Sequence, residues 1–218
     1  MHLTSTSGLH EPPPGQTANN TATRIAIFAS GTGSNAQKIM EYFHNHVTIK
    51  VALIVTNKSD AGVLQHSKAY NTPELLIERK RFLDGDSYVP ELLQHGINFI
   101  VLAGFLWKIP NNIIHQFGRS IVNIHPALLP KFGGKGMYGT RVHEAVIEAG
   151  EQQSGITIHY VDGHYDNGDI IFQATCAVDK DETPTSLADK IHVLEYRHFA
   201  PVIESCIMEN NGMNTVTI

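Results

Sequence analysis

Cysteine is scarce in this chain: Cys176 and Cys206 are the two it has, with no CxxC pair and no metal-ligand spacing. That leaves out a disulfide framework and a zinc ribbon, and reads as packed, reduced thiols of a cytoplasmic protein. No apolar run nears the roughly 20 residues that cross a bilayer, so no membrane partner is expected. Positive charge is also short. Sixteen Lys and Arg against 21 Asp and Glu leave a formal net charge of −5, which argues against a general nucleic-acid binder, since such proteins carry a basic face. A small anionic ligand stays open, because a few local donors suffice to hold one. At 218 residues, 42% hydrophobic and 17% charged, the chain has the make-up and length of one well-filled globular domain rather than two.

Residues 1–22 lack apolar patterning altogether. They are polar, hold Pro12, Pro13 and Pro14 in a row, and have no apolar core of a secretory signal. We read them as a flexible leader and residues 23–218 as a single domain.

From Arg24 onward strands and helices alternate. The apolar run from Arg24 to Ala29 ends in a glycine loop, as a buried parallel strand does. Ala36, Ile39, Met40 and Phe43 then recur at the spacing of one helix face. Further strands are predicted over 50–56, 74–77, 97–103 and 120–124, and helices over 61–70, 88–95, 111–117 and 141–149. Two β-rich runs, 155–161 and 170–178, flank the turn-rich DGHYDNGD and predict a hairpin. A long helix follows, with Thr183 as its cap, Pro184 in its first turn and Pro201 as a predicted kink. The order predicts an α/β fold: a mostly parallel sheet with helices on both faces and an antiparallel C-terminal portion.

The loop Ser30-Gly31-Thr32-Gly33-Ser34-Asn35 joins the first strand to the first helix. Glycines let backbone N–H groups approach a ligand, and the helix start adds unpaired donors and partial positive charge, which together make an anion site. The spacing Gly31-x-Gly33-x-x-Ala36 also matches a dinucleotide fingerprint. However, the second strand ends Thr56-Asn57-Lys58, with no carboxylate to hold a ribose until Asp60.

The segment IVNIHPALLP, Ile121 to Pro130, carries Asn123 and His125 on one strand face near its C-terminal end. Open α/β sheets bind ligands at that edge. An amide donor beside an imidazole suits acyl transfer, since both stabilise a developing oxyanion and the imidazole also moves a proton.

SGTGSN, LAGFLWKIP, NIHPALLPKF and HYDNGDIIFQA together resemble the glycinamide ribonucleotide formyltransferase family, from about Arg24 to Ile207. The resemblance implies a Rossmann-like formyltransferase fold. The activity it implies is transfer of the formyl group of 10-formyltetrahydrofolate to glycinamide ribonucleotide in purine synthesis, with no metal. As catalytic residues it implies Asn123, His125 and Asp166, the last paired with His125. Gly33, Ser34 and Asn35 would hold the substrate phosphate, and Glu195 its amine end. Leu106, Trp107, Lys108 and Ile109 would line the folate pocket, with Asn123 and the loop Asp162, Gly163, His164, Tyr165 and Asp166. Arg79 would be the cofactor-side arginine, with Arg81 as its rival. Glu195 has its own signal, as a carboxylate inside the apolar stripe of Leu187, Ile191, Leu194, Phe199 and Val202. Four glycines from Phe132 to Gly139 predict a mobile flap. The chain is read as a cytoplasmic monomer or homodimer. Methionyl-tRNA formyltransferase, which needs a tRNA-binding domain and positive surface, and formyltetrahydrofolate deformylase share the motif and are the nearby alternatives. A non-catalytic nucleotide-binding module is the alternative from another class.

Overall fold

The structure is a computed structural model that describes residues 22–212; the leader assigned to residues 1–22 lies, but for Ala22, outside the described residues. In chain order the elements are β1 (Thr23–Phe28), α1 (Ser34–Phe43), β2 (Ile49–Thr56), α2 (Val63–Ala69), β3 (Glu74–Leu76), α3 (Arg79–Asp84), α4 (Val89–Gln94) and β4 (Phe99–Leu102). They continue as α5 (Asn111–Phe117), β5 (Ile121–His125), α6 (Thr140–Glu148), β6 (Gln153–Tyr160), β7 (Ile170–Ala177) and α7 (Pro184–Asn210). The seven strands form one sheet in the order β3-β2-β1-β4-β5-β6-β7. Pairing is parallel from β3 to β5 and antiparallel across β5–β6 and β6–β7. The α/β architecture with an antiparallel C-terminal portion is therefore as the sequence implies.

β1 lies between β2 and β4, so the chain builds one side of the sheet and then crosses to the other. The crevice beyond the C-terminal ends of β1 and β4 is the switch point at which such sheets bind ligands. Alternation along β1 divides the core. Ile25 and Ile27 pack with α1 and α7 through Met40, Phe43, Phe199 and Ile203, whereas Ala26 and Phe28 pack with Phe82, Leu92 and Ile113. Both faces are covered, which explains why β1 reads as an unbroken apolar run. Each fully buried Ile or Phe contributes about 1.5–3 kcal/mol.

The last helix begins as its sequence dictates. The Thr183 hydroxyl accepts from the Ser186 N–H and the Ser186 hydroxyl accepts from the Thr183 N–H, with Pro184 in the first turn. It runs unbroken through Pro201. It packs against α1, α6, β6 and β7 through a buried stripe that runs Leu187, Ile191, Glu195, Phe199, Ile203 and Ile207. The helix α3 is not among the predicted elements. It buries Phe82 alone, and the basic run before that residue shows no apolar period.

Candidate active site

Gly33 caps α1 with φ +80°, a left-handed conformation that costs a residue with a Cβ. A Cβ there would also stand 2.6 Å from Cβ of Val63 in α2. Two separate constraints thus demand glycine at this corner. The first turn of α1 has no side-chain cap and no acidic residue, so its N–H groups and the positive end of its dipole are unspent. The loop is braced from the loop after β4, where the Ser30 hydroxyl accepts from the Leu106 N–H at 3.2 Å.

The side chain of Asn35 is engaged within the protein. Its amide Nδ2 donates to Oε2 of Glu195 at 2.8 Å, leaving its backbone N–H for an anion. Glu195 is 6% exposed. Burial pushes its carboxyl above the ordinary range, against the opposing pull of Asn35 and His192. The bond to Asn35 sets Glu195 beside the anion loop.

On β5, Asn123 and His125 alternate with Val122 and Ile124, which are held in the core. His125 is 3% exposed. Its Nε2 lies 2.7 Å from the carbonyl of Phe132, and its Nδ1 lies 3.6 Å from Oδ2 of Asp166. Burial pushes the imidazole below its ordinary pKa, while Asp166 and the Phe132 carbonyl pull it upward. Asp166 reaches the site from the β6–β7 loop with φ +51°. Its Oδ2 accepts from the Gly134 N–H at 2.8 Å, and its Oδ1 lies 3.4 Å from Nδ2 of Asn123. Burial alone would raise this carboxyl. His159, His125 and the Gly134 N–H outweigh burial and hold it below the usual carboxylate range. The structure therefore brings Asn123, His125 and Asp166 together from two stretches of chain.

A fourth residue, His159, which no motif in the sequence marks, belongs to the cluster. It is 2% exposed and pairs with Asn123 across the β5–β6 ladder. Its Nδ1 lies 2.8 Å from the carbonyl of Tyr160, which can only accept, so Nδ1 carries the proton. Its Nε2 lies 3.0 Å from Nδ2 of Asn123 and 3.7 Å from Oδ1 of Asp166. The nitrogen of Asn123, rather than its oxygen, thus faces His159, and the same nitrogen donates to Oδ1 of Asp166 at 3.4 Å.

A cleft of about 650 Å³ joins these groups at the C-terminal edge of the sheet. Gly31 to Asn35, Asn123, His125, Asp166 and Glu195 all line it. The glycine-rich segment over 132–139 forms a wall, with positive φ at Phe132, Gly134, Gly136 and Gly139.

Among the residues assigned to the folate pocket, Leu106 and Tyr165 line this cleft with Asn123 and Asp166. Ile109 is 4% exposed, and it packs with Trp107 in the core beneath. The Trp107 ring meets those of Phe82 and Phe105 at 5.8 and 6.2 Å. Lys108 is exposed. Asp162 folds its loop by accepting from the His164 N–H at 2.7 Å and from Asn167 at 3.0 Å, while Gly163 is half-buried and His164 is exposed. Arg81 is held by Asp86 and Glu91 and lies 4.0 Å over the Tyr88 ring. Arg79 makes no ion pair among the described residues and stands 5.6 Å from the centre of the Trp107 ring. No group of three or more His, Cys, Asp or Glu among the described residues is arranged to hold a metal ion. No helix among them is long and apolar enough to cross a membrane.

Residues 23–203 match the formyl transferase family. The chain is 39% identical over 186 residues to "phosphoribosylglycinamide formyltransferase, chloroplastic" of Arabidopsis thaliana, covering 83% of this chain and 64% of that one. It is 32% identical to phosphoribosylglycinamide formyltransferase of Bacillus subtilis, covering 86% of this chain and 96% of that one. The crystal structure of phosphoribosylglycinamide formyltransferase from Bacillus halodurans superposes with a TM-score of 0.77 at 32% identity, over 86% of this chain and 97% of that one. The chain thus spans under two-thirds of the plant relative and nearly all of the bacterial ones. An α/β domain with an anion loop and a polar cluster at its sheet edge belongs here to a known line of group-transfer enzymes. The chain is a member of the formyl transferase family.

Proposed function

We propose that the chain transfers the formyl group of 10-formyltetrahydrofolate to the primary amine of glycinamide ribonucleotide, a step of purine synthesis. The names of its relatives supply the reaction. The observation that carries the reading is one cleft lined both by an anion loop and by the Asn123–His125–Asp166 cluster. The loop suits a phosphate at one end of the acceptor, and the cluster suits a carbonyl at the other.

In this reading the backbone N–H groups of Gly33, Ser34 and Asn35 hold the phosphate. Sequence resemblance assigned Glu195 to the amine end. Its bond to Asn35 moves that role toward the stretch between phosphate and amine. Leu106, Tyr165, the backbone of 162–166 and Arg79 face the folate. The exposed apolar side chain of Leu106 next to the polar edge of that loop fits a flat, hydrogen-bonding ring. Trp107 and Ile109 support the pocket from below rather than line it.

The amine reacts in its neutral form. As its nitrogen bonds to the formyl carbon, negative charge grows on the formyl oxygen. The Nε2–H of His125, turned from the Phe132 carbonyl, and the Asn123 N–H that faces Asp166 across 3.4 Å in the free site donate to that oxygen. Asp166, held ionised, favours the His125 cation and takes the proton shed by the amine, through water. The bond from carbon to the folate nitrogen then breaks, and that nitrogen receives the proton. No covalent bond to the enzyme is needed. The free thiols Cys176 and Cys206 fit a reducing compartment, and we place the reaction in the cytoplasm.

The test is a formyl-transfer assay with glycinamide ribonucleotide, run beside methionyl-tRNA and water as acceptors. Transfer to the ribonucleotide is the expected result, with turnover falling about a hundredfold or more in Asn123→Ala and His125→Ala. Folded variants with near-parental turnover would overturn the roles given to them. Transfer to tRNA or to water instead would overturn the substrate.

A further inference from the structure

We propose that His143 is a further acceptor-binding residue, which hydrogen-bonds the sugar–amide stretch of the amine substrate between the phosphate loop and the reacting carbonyl. The proposal rests on the formyl-transfer reading above.

His143 lies on the buried face of α6 between Val142 and Val146 and is 5% exposed. Its ring is part of the cleft wall that also holds His125, His192 and Glu195. Its Nδ1 is sealed from solvent, yet no donor or acceptor among the described residues meets it. A leucine or methionine would fill the slot between two valines without leaving a bare nitrogen. A buried polar atom left without a partner is unfavourable, so such atoms are few in folded proteins and call for a specific account. A second one lies in the same wall, where Oδ1 of Asn35 is sealed and unpaired while Nδ2 is committed to Glu195. Two cleft-lining side chains that each carry an unpaired, covered polar atom fit a ligand toward which both turn on binding.

The chemistry of that ligand follows from the ring. Burial, with His192 and His125 nearby, disfavours the charged form of His143. A neutral imidazole offers one N–H and one bare nitrogen. It therefore suits a hydroxyl or an amide, each of which donates and accepts, better than it suits a phosphate. The phosphate goes to the N–H groups of the Gly33 loop, where the donors are. His143 shares the cleft with the Gly33 loop, Glu195 and His125. A contact to the sugar–amide stretch is what remains for it once phosphate and carbonyl are taken.

The test compares His143→Leu, His143→Asn and His143→Gln in steady-state assays, varying glycinamide ribonucleotide and 10-formyltetrahydrofolate in turn. Melting is recorded for each with and without the ribonucleotide. In His143→Leu the KM for the ribonucleotide should rise about five- to tenfold, the size of one lost neutral hydrogen bond. The KM for the folate should stay within about twofold, as for loss of a contact to one substrate alone. The unliganded protein should melt no lower than its parent, while stabilisation by the ribonucleotide shrinks. One of the two amide variants should recover part of the affinity, Asn if Nδ1 makes the contact and Gln if Nε2 does. Unchanged KM values, or a parallel rise in both with a lower melting temperature, would show a packing role and overturn the proposal. A parent enzyme that formylates no glycinamide ribonucleotide would overturn the functional reading and this proposal with it.

Discussion

The carbonyl of Phe132 lies 2.7 Å from Nε2 of His125, which places the proton of the neutral imidazole on Nε2 and turns a bare Nδ1 toward Asp166. A second proton therefore enters on the side facing the carboxylate, 3.6 Å away. Asp166 is the main influence raising the proton affinity of His125 against its burial. Asp166→Asn should accordingly move the His125 titration, followed by NMR of the imidazole, further below its ordinary value. Turnover should fall about a hundredfold or more. A titration that stays put or moves upward would break the link between the two residues.

Glu195 makes stability and affinity pull in opposite directions. Its folded carboxyl titrates above the ordinary value of 4.5, so the folded state keeps a proton that the unfolded chain has lost. This group's contribution is fully present below the unfolded pKa and drains away as pH rises through the folded one. Glu195→Gln removes that loss and keeps an acceptor for Asn35. At pH 7.5 the unliganded variant should melt higher, on the order of 2–4 °C, which is what about 1 kcal/mol does in a domain of this length. Its KM for the ribonucleotide should rise. A variant that melts lower at pH 7.5 than its parent would contradict this assignment.

The glycine loop offers an internal comparison. Gly33→Ala forces a side chain into a left-handed conformation and against Val63, and should cost about 2 kcal/mol or more in denaturant unfolding. Gly31→Ala meets nothing within 4 Å of the added atom, and should stay within about 0.5 kcal/mol of the parent. Equal effects from the two would remove the case for a strained corner.

The arginines of the α3 helix should separate in kinetics. Arg79→Ala should raise the KM for 10-formyltetrahydrofolate about tenfold, the scale of one charged hydrogen bond. Arg81→Ala breaks contacts to Asp86, Glu91 and Tyr88 and should lower the melting temperature while sparing that KM. The reverse pattern would exchange their roles.

What could be read from residues alone was whatever has a period or a local rule. The apolar run of β1, the hairpin of β6 and β7, and the Thr183 cap all obey short-range geometry. Glu195 was legible because a carboxylate broke an apolar stripe. His159 was not, because its place beside Asn123 depends on the β5–β6 register, which no local pattern states. The Asn35–Glu195 bond spans 160 positions and is equally invisible along the chain. Residues 106–109 lie in a loop without a repeat, so nothing told Leu106, which lines the cleft, from Ile109, which faces the core. Helix α3 was hidden by its charge.

Asn35 lies on the first helix and its carboxylate partner on the last. During synthesis the ribosome therefore releases the whole sheet, with Asn123, His125, His159 and Asp166, before Glu195 can close the cleft beside Asn35. A nascent chain stopped after β7 would carry the groups proposed to react and lack the carboxylate proposed to help seat the acceptor.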